Sequence, residues 1–475
     1  MTSSTLIRPR LTLLDRAHIE QIHDSTRQIL ATVGVRVDSE PARQLLCRAS
    51  GVKMEGDRVL ISPERVEKAL QTAPSRIDIY DQRGEVACRL GSGEARFGVG
   101  VTALYYQDPV TDEVTPFERR HFRSMIRLGN ALPSFDVVST VGIIQDLSPQ
   151  VVDLYATLEM TANTVKPLIL LVSDERRFAD VVRLLEHLHG DLASYPFAVP
   201  YVNPITPLVI NAGTVQKMMV ATEHGLPFIF SNYGMIGATT PITPGGTLVL
   251  LNAELLAGLT LSQVIEEGTP VILGSLPASF DMRGMGTFYQ PRGYLVSLAC
   301  AEMMAYYGLP HCGTSGSGVG WGPGLVAAGH QWINHLIACT STMELIPFVG
   351  DNLGAKAFSP AIVVYANEVI RQARTFSGGF GLDEVAIDLE DIAGVGPGGT
   401  FLDSDRTFER FRDAYDQSEV LSHLTLEAWQ DRGAPRSEEV LRRHTRDVIA
   451  NLQPPSDYEE LLACGEAFIR GLDIL

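Results

Sequence analysis

From about residue 94 the chain repeats one pattern: a short, almost wholly apolar run, a polar break, then a longer stretch with apolar residues every three or four positions. The short runs have the length of buried strands and the longer ones the period of helices. Strands are predicted at ARFGVGV (95–101), FDVVSTVGI (135–143), KPLILLV (166–172), YPFAVPYVN (195–203), LPFIFSNY (226–233), TPVILGSL (269–276), LPHCGTS (309–315) and ELIPFVG (344–350). Helices are predicted near 117–131, 148–163, 175–188, 213–224, 247–267, 290–307, 325–342 and 360–375. Eight such units fit a (β/α)8 TIM barrel, which needs about 250 residues. Alternation alone leaves a doubly wound open sheet as the rival.

The flanks have a different rhythm. Residues 1–92 carry helical patterns near 17–34, 38–49 and 63–72, with the strand-like pieces RVLIS and RIDIY, and read as an N-terminal α+β cap. The barrel then occupies 93–376. Residues 377–475 read as a C-terminal helical extension, with a glycine-rich turn GVGPGGTFLDSDRT and charged helices near 405–415, 419–430 and 435–451.

Charge and cysteines narrow the setting. The 38 basic residues against 56 acidic ones give a net charge of -18, which repels phosphate backbones and argues against a nucleic-acid partner. Cys47, Cys88, Cys300, Cys312, Cys339 and Cys464 show no CxxC spacing and suggest reduced thiols in the cytoplasm. The start MTSSTLIRPRLTLLDRAHIE reaches Asp15 and Glu20 without the apolar core of a secretory signal. In the most apolar segment, GTLVLLNAELLAGLTLSQVIEEG, Asn252, Glu254 and Gln263 would be costly in lipid, so a buried helix is predicted rather than a membrane span.

A barrel places its working residues at the C-terminal ends of its strands. That rule selects Tyr105, Tyr106, Gln145, Asp146, Asn203, Asn232, Tyr233, Ser275, His311 through Trp321, Phe348, Asp351 and Asn352. The stretch HCGTSGSGVGWGPG (311–324) lacks the lysine and hydroxyl of a P-loop, and offers a dinucleotide fingerprint only out of register. His311 and Cys312 are neighbours on a strand and point to opposite faces, His330 and His335 are five apart, and HExxH does not occur, so no metal is expected. There is no GxSxG elbow, and Cys312 reads as a small core residue. What remains is aromatic and amide: a set suited to a methylated ammonium, which has no N–H to donate and binds to aromatic faces.

Three segments carry a resemblance: YVNPITPLVINAGTVQKM, GATTPITPGGTLVLLNAELLAGLTLSQVIEEGTPVILGS and GPGGTFLDSDRTFERFR. With IHDSTRQILATVGVRVDSEPARQLL and LGNALPSFD, they resemble the trimethylamine methyltransferase family, whose non-pyrrolysine members act on glycine betaine and related quaternary amines. The resemblance implies a (β/α)8 barrel, a homo-oligomer, and transfer of a methyl group from an amine to the Co(I) of a corrinoid (cobalamin) carried by a separate protein. No cofactor would be bound tightly by this chain, and Co(I) would be the nucleophile.

The sequence also departs from that family. Gly313, Thr314, Ser315 and Gly316 fit its pattern after the seventh strand, but SGVGWGPGLVAAGH lacks the Asp, Lys, Gln and Glu that relatives place there. No pyrrolysine is present, so trimethylamine is not the expected substrate. Relatives tend to have His in place of Thr400 and Arg406. The expectation is therefore demethylation of a betaine-like quaternary ammonium compound. Trp321, Tyr105 and Tyr233 would box the cation, and Asn203, Asn232 and His311 would bind its polar tail. His311 and His330 are the candidates for a catalytic part. Two alternatives keep the fold: tetrahydrofolate or another thiol or pterin carrier as direct acceptor, or a non-catalytic quaternary-amine binding protein.

Overall fold

A computed structural model describes residues 6–314, 319–412, 414–415, 417–418 and 420–472. Eight parallel strands form its centre: β1 (Arg96–Val99), β2 (Val137–Ser139), β3 (Leu168–Leu170), β4 (Ala198–Val202), β5 (Phe228–Ile236), β6 (Val271–Asp281), β7 (His311–Cys312) and β8 (Leu345–Val349). Each pairs with its sequence neighbours, and β8 pairs back onto β1, so the sheet closes. The intervening helices are α1 (Arg119–Ala131), α2 (Val152–Asn163), α3 (Phe178–His189), α4 (Ala212–Glu223), α5 (Pro244–Ile265), α6 (Pro291–Tyr307), α7 (Leu325–Thr340) and α8 (Pro360–Gly378). The architecture is the predicted (β/α)8 barrel, not the open sheet.

The barrel interior is stacked in layers. Val137, Ile169, Val199, Ile229, Ile272, Cys312 and Leu345 form its buried middle, as the filled centre of such a barrel requires. Below them, a hairpin of Ile77–Tyr80 and Val86–Leu90 seals the N-terminal end with Ile77, Ile79, Cys88 and Leu90. Glu344, just before β8, fastens that hairpin's exit by accepting from Gly91 N (2.8 Å) and Gly93 N (2.6 Å). Above the middle layer, Tyr201 and Phe348 meet edge to face with ring centres 5.1 Å apart.

Helix α5 starts where its sequence dictates, with Thr243 capping Gly246 N and Pro244 in the first turn. Among the described residues it is the one helix long and apolar enough to cross a membrane, but most of it is buried inside the protein. Each polar residue that marked it in the sequence has an internal partner. Asn252 donates to Thr26 Oγ1 (2.9 Å) and the Tyr307 hydroxyl (2.8 Å), Gln263 donates to Thr269 O (2.9 Å), and Glu254 accepts from Leu208 N (2.6 Å). The N-terminal helices Arg16–Thr32 and Pro63–Thr72 pack on α5, and the strand Val35–Val37 pairs with Val209–Ile210 beyond β4.

The C-terminal segment differs most from expectation. The helix expected at 405–415 spans only Asp405–Arg410, and the one at 419–430 only Leu426–Asp431; residues 413, 416 and 419 lie outside the described set. Local side-chain bonds break the pattern: Ser418 Oγ accepts from Val420 N and Leu421 N, and Thr425 caps a fresh start at Ala428 N. Two further helices, Val385–Val395 and Tyr458–Arg470, had no separate signal against the charged background. The second packs on α2 and α3, where Gly465 lies so close to Leu158 that a Cβ would meet it at 2.3 Å.

Candidate active site

Strands β5 and β6 run past the barrel rim and remain paired up to Ile236 and Ser279. A turn held by Asp281, which accepts from Arg283 N (2.9 Å) and Gly284 N (3.1 Å), then sends Gly286–Phe288 back antiparallel to β6. Thr287, Phe288 and Tyr289 are thereby carried over the mouth of the barrel. Opposite them, a four-stranded rim sheet joins Tyr105–Gln107 and Val114–Pro116 to Asp351–Asn352 and Ala357–Phe358. Gln107 stitches the glycine-rich loop to this sheet, donating to Trp321 O and accepting from Asn352 Nδ2, both at 2.9 Å.

These elements enclose a cavity of about 650 Å³ at the C-terminal ends of the strands. Val101, Leu171, Leu276, Tyr201 and Phe348 form its floor on top of the barrel core. Tyr233, Phe288, Tyr289 and Trp321 line its walls, with Asn203, Thr102, Thr287 and Thr314 as polar positions. None of the described lining residues is charged, and residues 315–318, outside the described set, are Ser, Gly, Ser and Gly.

Of the residues expected at the site, Tyr233, Asn203 and Trp321 line this cavity, as does Phe348. Tyr233 is half-buried, whereas the Trp321 side chain, at the rim, is 80% exposed. Asn203 Nδ2 donates to Ser231 O (2.9 Å), which leaves its side-chain oxygen as the polar atom available to a ligand.

The other expected residues are placed elsewhere. Asn232 is fully buried, donates to Leu251 O and Glu254 Oε2 (both 2.9 Å) and accepts from Ser275 Oγ (2.7 Å). Tyr105 lies in the rim sheet, outside the cavity lining, and Tyr106 stacks on His121 with ring centres 4.2 Å apart. His311 faces the helix layer near Met343, both ring nitrogens buried without hydrogen-bond partners among the described residues, and burial pushes its pKa down to about 3. A neutral ring so placed neither lines the cavity nor gains a proton at working pH. His330 Nδ1 pairs with the Tyr294 hydroxyl at 2.7 Å, away from the cavity lining. Cys312 is buried in the barrel core, where desolvation raises its thiol pKa. Thr400 caps Leu402 N (3.2 Å), and Arg406 pairs with Glu384 (2.8 Å) and Asp388 (3.0 Å), so both serve the C-terminal segment.

Sequence reasoning missed Tyr201, Phe288 and Tyr289. Tyr201 had a signal: it is two residues before Asn203 and so shares its face of the strand. Its buried hydroxyl lies near Ser231 and Asn203 without reaching hydrogen-bonding geometry to either, and burial raises its pKa.

Behind the wall, Glu254 supports the loop after β4. Its carboxylate accepts from Thr206 Oγ1 (2.9 Å) as well as Leu208 N and Asn232, yet burial outweighs these donors and raises its pKa to about 6. A carboxyl raised on folding stabilises the protein fully below its unfolded pKa and loses that contribution as pH rises through the folded value. Wild type should therefore lose stability relative to Glu254→Gln between about pH 4.5 and 7, by at most about 2 kcal/mol. Urea midpoints of both proteins across that range would show it; a pH-independent difference would mean that Glu254 titrates normally.

The comparisons agree with this geometry. Residues 4–469 match the family model described as trimethylamine methyltransferase (MTTB). A glycine betaine methyltransferase of Desulfitobacterium hafniense is 28% identical, with 98% of each chain covered. A trimethylamine methyltransferase MttB of Methanosarcina barkeri is 26% identical over 93% of this chain and 91% of its own. The crystal structure of the Methanosarcina barkeri monomethylamine methyltransferase MtmB shares the fold, with a TM-score of 0.55 at 9% identity, over 98% of this chain and 89% of that one. With a match running almost from end to end and a cavity in the place this barrel reserves for chemistry, the chain belongs to the trimethylamine methyltransferase family, and it is a methyltransferase.

Proposed function

We propose that the protein removes a methyl group from a betaine-like quaternary ammonium compound and delivers it, in the cytoplasm, to the Co(I) of a corrinoid carried by a separate protein. The observation that carries this reading is the cavity: aromatic, uncharged, and open at the barrel mouth. A betaine has no net charge, so a neutral cavity suits it. The aromatic faces of Tyr233, Tyr201, Phe288 and Trp321 would hold the ammonium, and hydroxyls of Thr102 and Thr287 would donate to the carboxylate. Without a buried cation the site favours neither a bare anion nor a phosphate ester. The names of the two relatives, a glycine betaine and a trimethylamine methyltransferase, support an amine as methyl donor.

The chain's own residues bind and orient. The described lining residues include no cysteine, histidine or carboxylate, and Cys312 belongs to the core beneath the floor. The attacking electron pair is thus expected from the acceptor, and a reduced corrinoid supplies it. The C–N bond then breaks with its pair left on nitrogen, and no proton need move. The residues' contribution is to aim an N-methyl group out of the mouth and keep water from the reacting carbon. The six free thiols fit a reducing compartment.

The test is methyl transfer by the purified protein from a panel of betaines, choline and trimethylamine to reduced cobalamin, followed by the absorbance change that accompanies cobalamin methylation. Transfer from a betaine is expected. Binding without cobalamin methylation would overturn the corrinoid part, and tetrahydrofolate offered in its place would separate a different acceptor from a binding protein.

A further inference from the structure

At the N-terminal face of the barrel, opposite the cavity mouth, the first described residues cross the ends of α7 and α8. Their backbone is pinned twice: Ile7 N donates to Phe380 O (2.8 Å) and Phe380 N to Ile7 O (3.1 Å), while Leu11 N donates to Thr340 O (2.8 Å). Gly379 (φ 69°) permits the first contact, since a Cβ there would stand 1.9 Å from the Ile7 carbonyl oxygen. Arg8 and Arg10 lie between the anchors, two apart, the spacing that puts both side chains on one side of an extended segment. Both line a second cavity of about 330 Å³, whose wall also holds Arg96, at the start of β1, and Arg374, near the end of α8.

The charges around this cavity do not balance. Arg96 is matched by Glu94 and Arg374 by Asp136, both at 2.5 Å. Asp136 has nothing left to give, since it also accepts from Arg96 Nη1 (3.4 Å) and Phe97 N (2.8 Å). Glu344 is taken up by the Gly91 and Gly93 amides and does not line the cavity. Cys339, in the wall, stays a neutral thiol because burial pushes its pKa up to about 12. Arg8 and Arg10 therefore have no carboxylate partner among the described residues, and Arg96 Nε is a buried donor without an acceptor there. The hydroxyls of Thr340, Ser341 and Ser377 each donate to a carbonyl of their own helix, so the free donors are guanidiniums. Two positive charges are left over, in a chain whose net charge is -18.

We propose that this cavity binds a phosphate dianion, either inorganic phosphate or the phosphate group of a small ester. Two unmatched guanidiniums equal a dianion in charge, and their planar forks suit phosphate oxygens taken two at a time. The cavity of about 330 Å³ has the room of roughly ten waters, which leaves space for a small body attached to the phosphate. A bound dianion ties the pinned segment that carries Arg8 and Arg10 to β1 and α8, so binding strengthens the attachment of residues 7–11 to the barrel. The inference does not depend on the proposed substrate or acceptor, which belong to the opposite face.

Calorimetric titration of the full chain with inorganic phosphate, against chloride at matched ionic strength, is expected to give one site with a Kd on the order of 0.1–1 mM. Phosphate at about 10 mM should then raise the thermal midpoint by about 1–3 °C. Arg8→Ala combined with Arg10→Ala should weaken binding by about 10-fold or more and abolish that shift. Both side chains are exposed and neither backbone anchor uses them, so the variant's thermal midpoint in chloride serves as the folding check. Amide exchange of the wild type needs no variant: phosphate should slow it across residues 7–11. Glycerol phosphate separates the two sources, since binding about tenfold tighter than phosphate identifies an ester site and equal binding a site for the free ion. No effect of phosphate beyond that of chloride, an unchanged affinity in the double variant, or protection that spares residues 7–11 would overturn the proposal.

Discussion

Replacing Glu159 by alanine is expected to cost about 3–5 kcal/mol of stability, the usual penalty for breaking a buried pair by removing one partner. Glu159 sits in α2 with its side chain wholly buried. Its Oε1 accepts from Arg119 Nε and Arg123 Nη2, both at 2.7 Å, and its Oε2 from Arg123 Nε (3.0 Å) and Asn163 Nδ2 (2.9 Å). Alanine would strand two guanidiniums at the seam where α1 meets α2. Arg119 retains a longer contact to Glu466 at 3.4 Å and its place over the Tyr155 ring, 4.5 Å from the ring centre, neither of which replaces the lost carboxylate. The same seam carries the C-terminal helix Tyr458–Arg470, with Arg127 over the Tyr458 ring at 4.8 Å. The variant should therefore also shed that helix more readily, seen as faster amide exchange across 458–470. Glu159→Gln keeps an acceptor but loses the charge and should cost roughly half as much. Chemical denaturation of the three proteins measures both; a loss below about 1 kcal/mol for alanine would mean that water reaches the two arginines.

The barrel was legible because its strands are buried on both faces, so they appear as continuous apolar runs with helical spacing between them. All eight runs and helices fall where that pattern predicts. The excursions above the rim were less legible. The apolar run of β6 predicts an end at Leu276, but the strand continues through Pro277 to Asp281 and turns back, and this hairpin supplies Phe288 and Tyr289. The strand-end rule found the right level of the barrel but not the right side of each strand. Tyr233 faces the cavity and its neighbour Asn232 the helices; Cys312 faces the barrel interior and His311 the helices. A period of two makes adjacent residues opposites, so one residue of uncertainty in where β5 or β7 turns decides between a ligand contact and a core hydrogen bond. The C-terminal segment was less legible for a different reason: local bonds of Ser418 and Thr425 to the backbone divide what the pattern reads as longer helices.

Tyr233→Ala is expected to weaken binding of a quaternary ammonium ligand such as glycine betaine by roughly 30- to 100-fold, about 2 to 3 kcal/mol. Tyr233 is half-buried in the cavity wall, and burial raises its pKa, which keeps the ring neutral across the working range. In a partly desolvated wall a cation–π contact is worth about 2 kcal/mol, and the missing ring would also remove apolar contact with the methyl groups. Tyr233→Phe keeps the ring and should bind within about threefold of wild type, since the hydroxyl contributes little to the attraction. Trp321→Ala should cost less, about 3- to 5-fold, because a rim ring mostly in water has its attraction screened. Calorimetric titration of the three variants separates the possibilities. Equal losses for Ala and Phe at 233 would show that the hydroxyl, not the ring face, holds the ligand, and the site would then be one for a hydrogen-bonding molecule rather than a methylated cation. If Trp321→Ala costs as much as Tyr233→Ala, the glycine-rich loop must close over the bound ammonium, turning its exposed indole into a fourth wall.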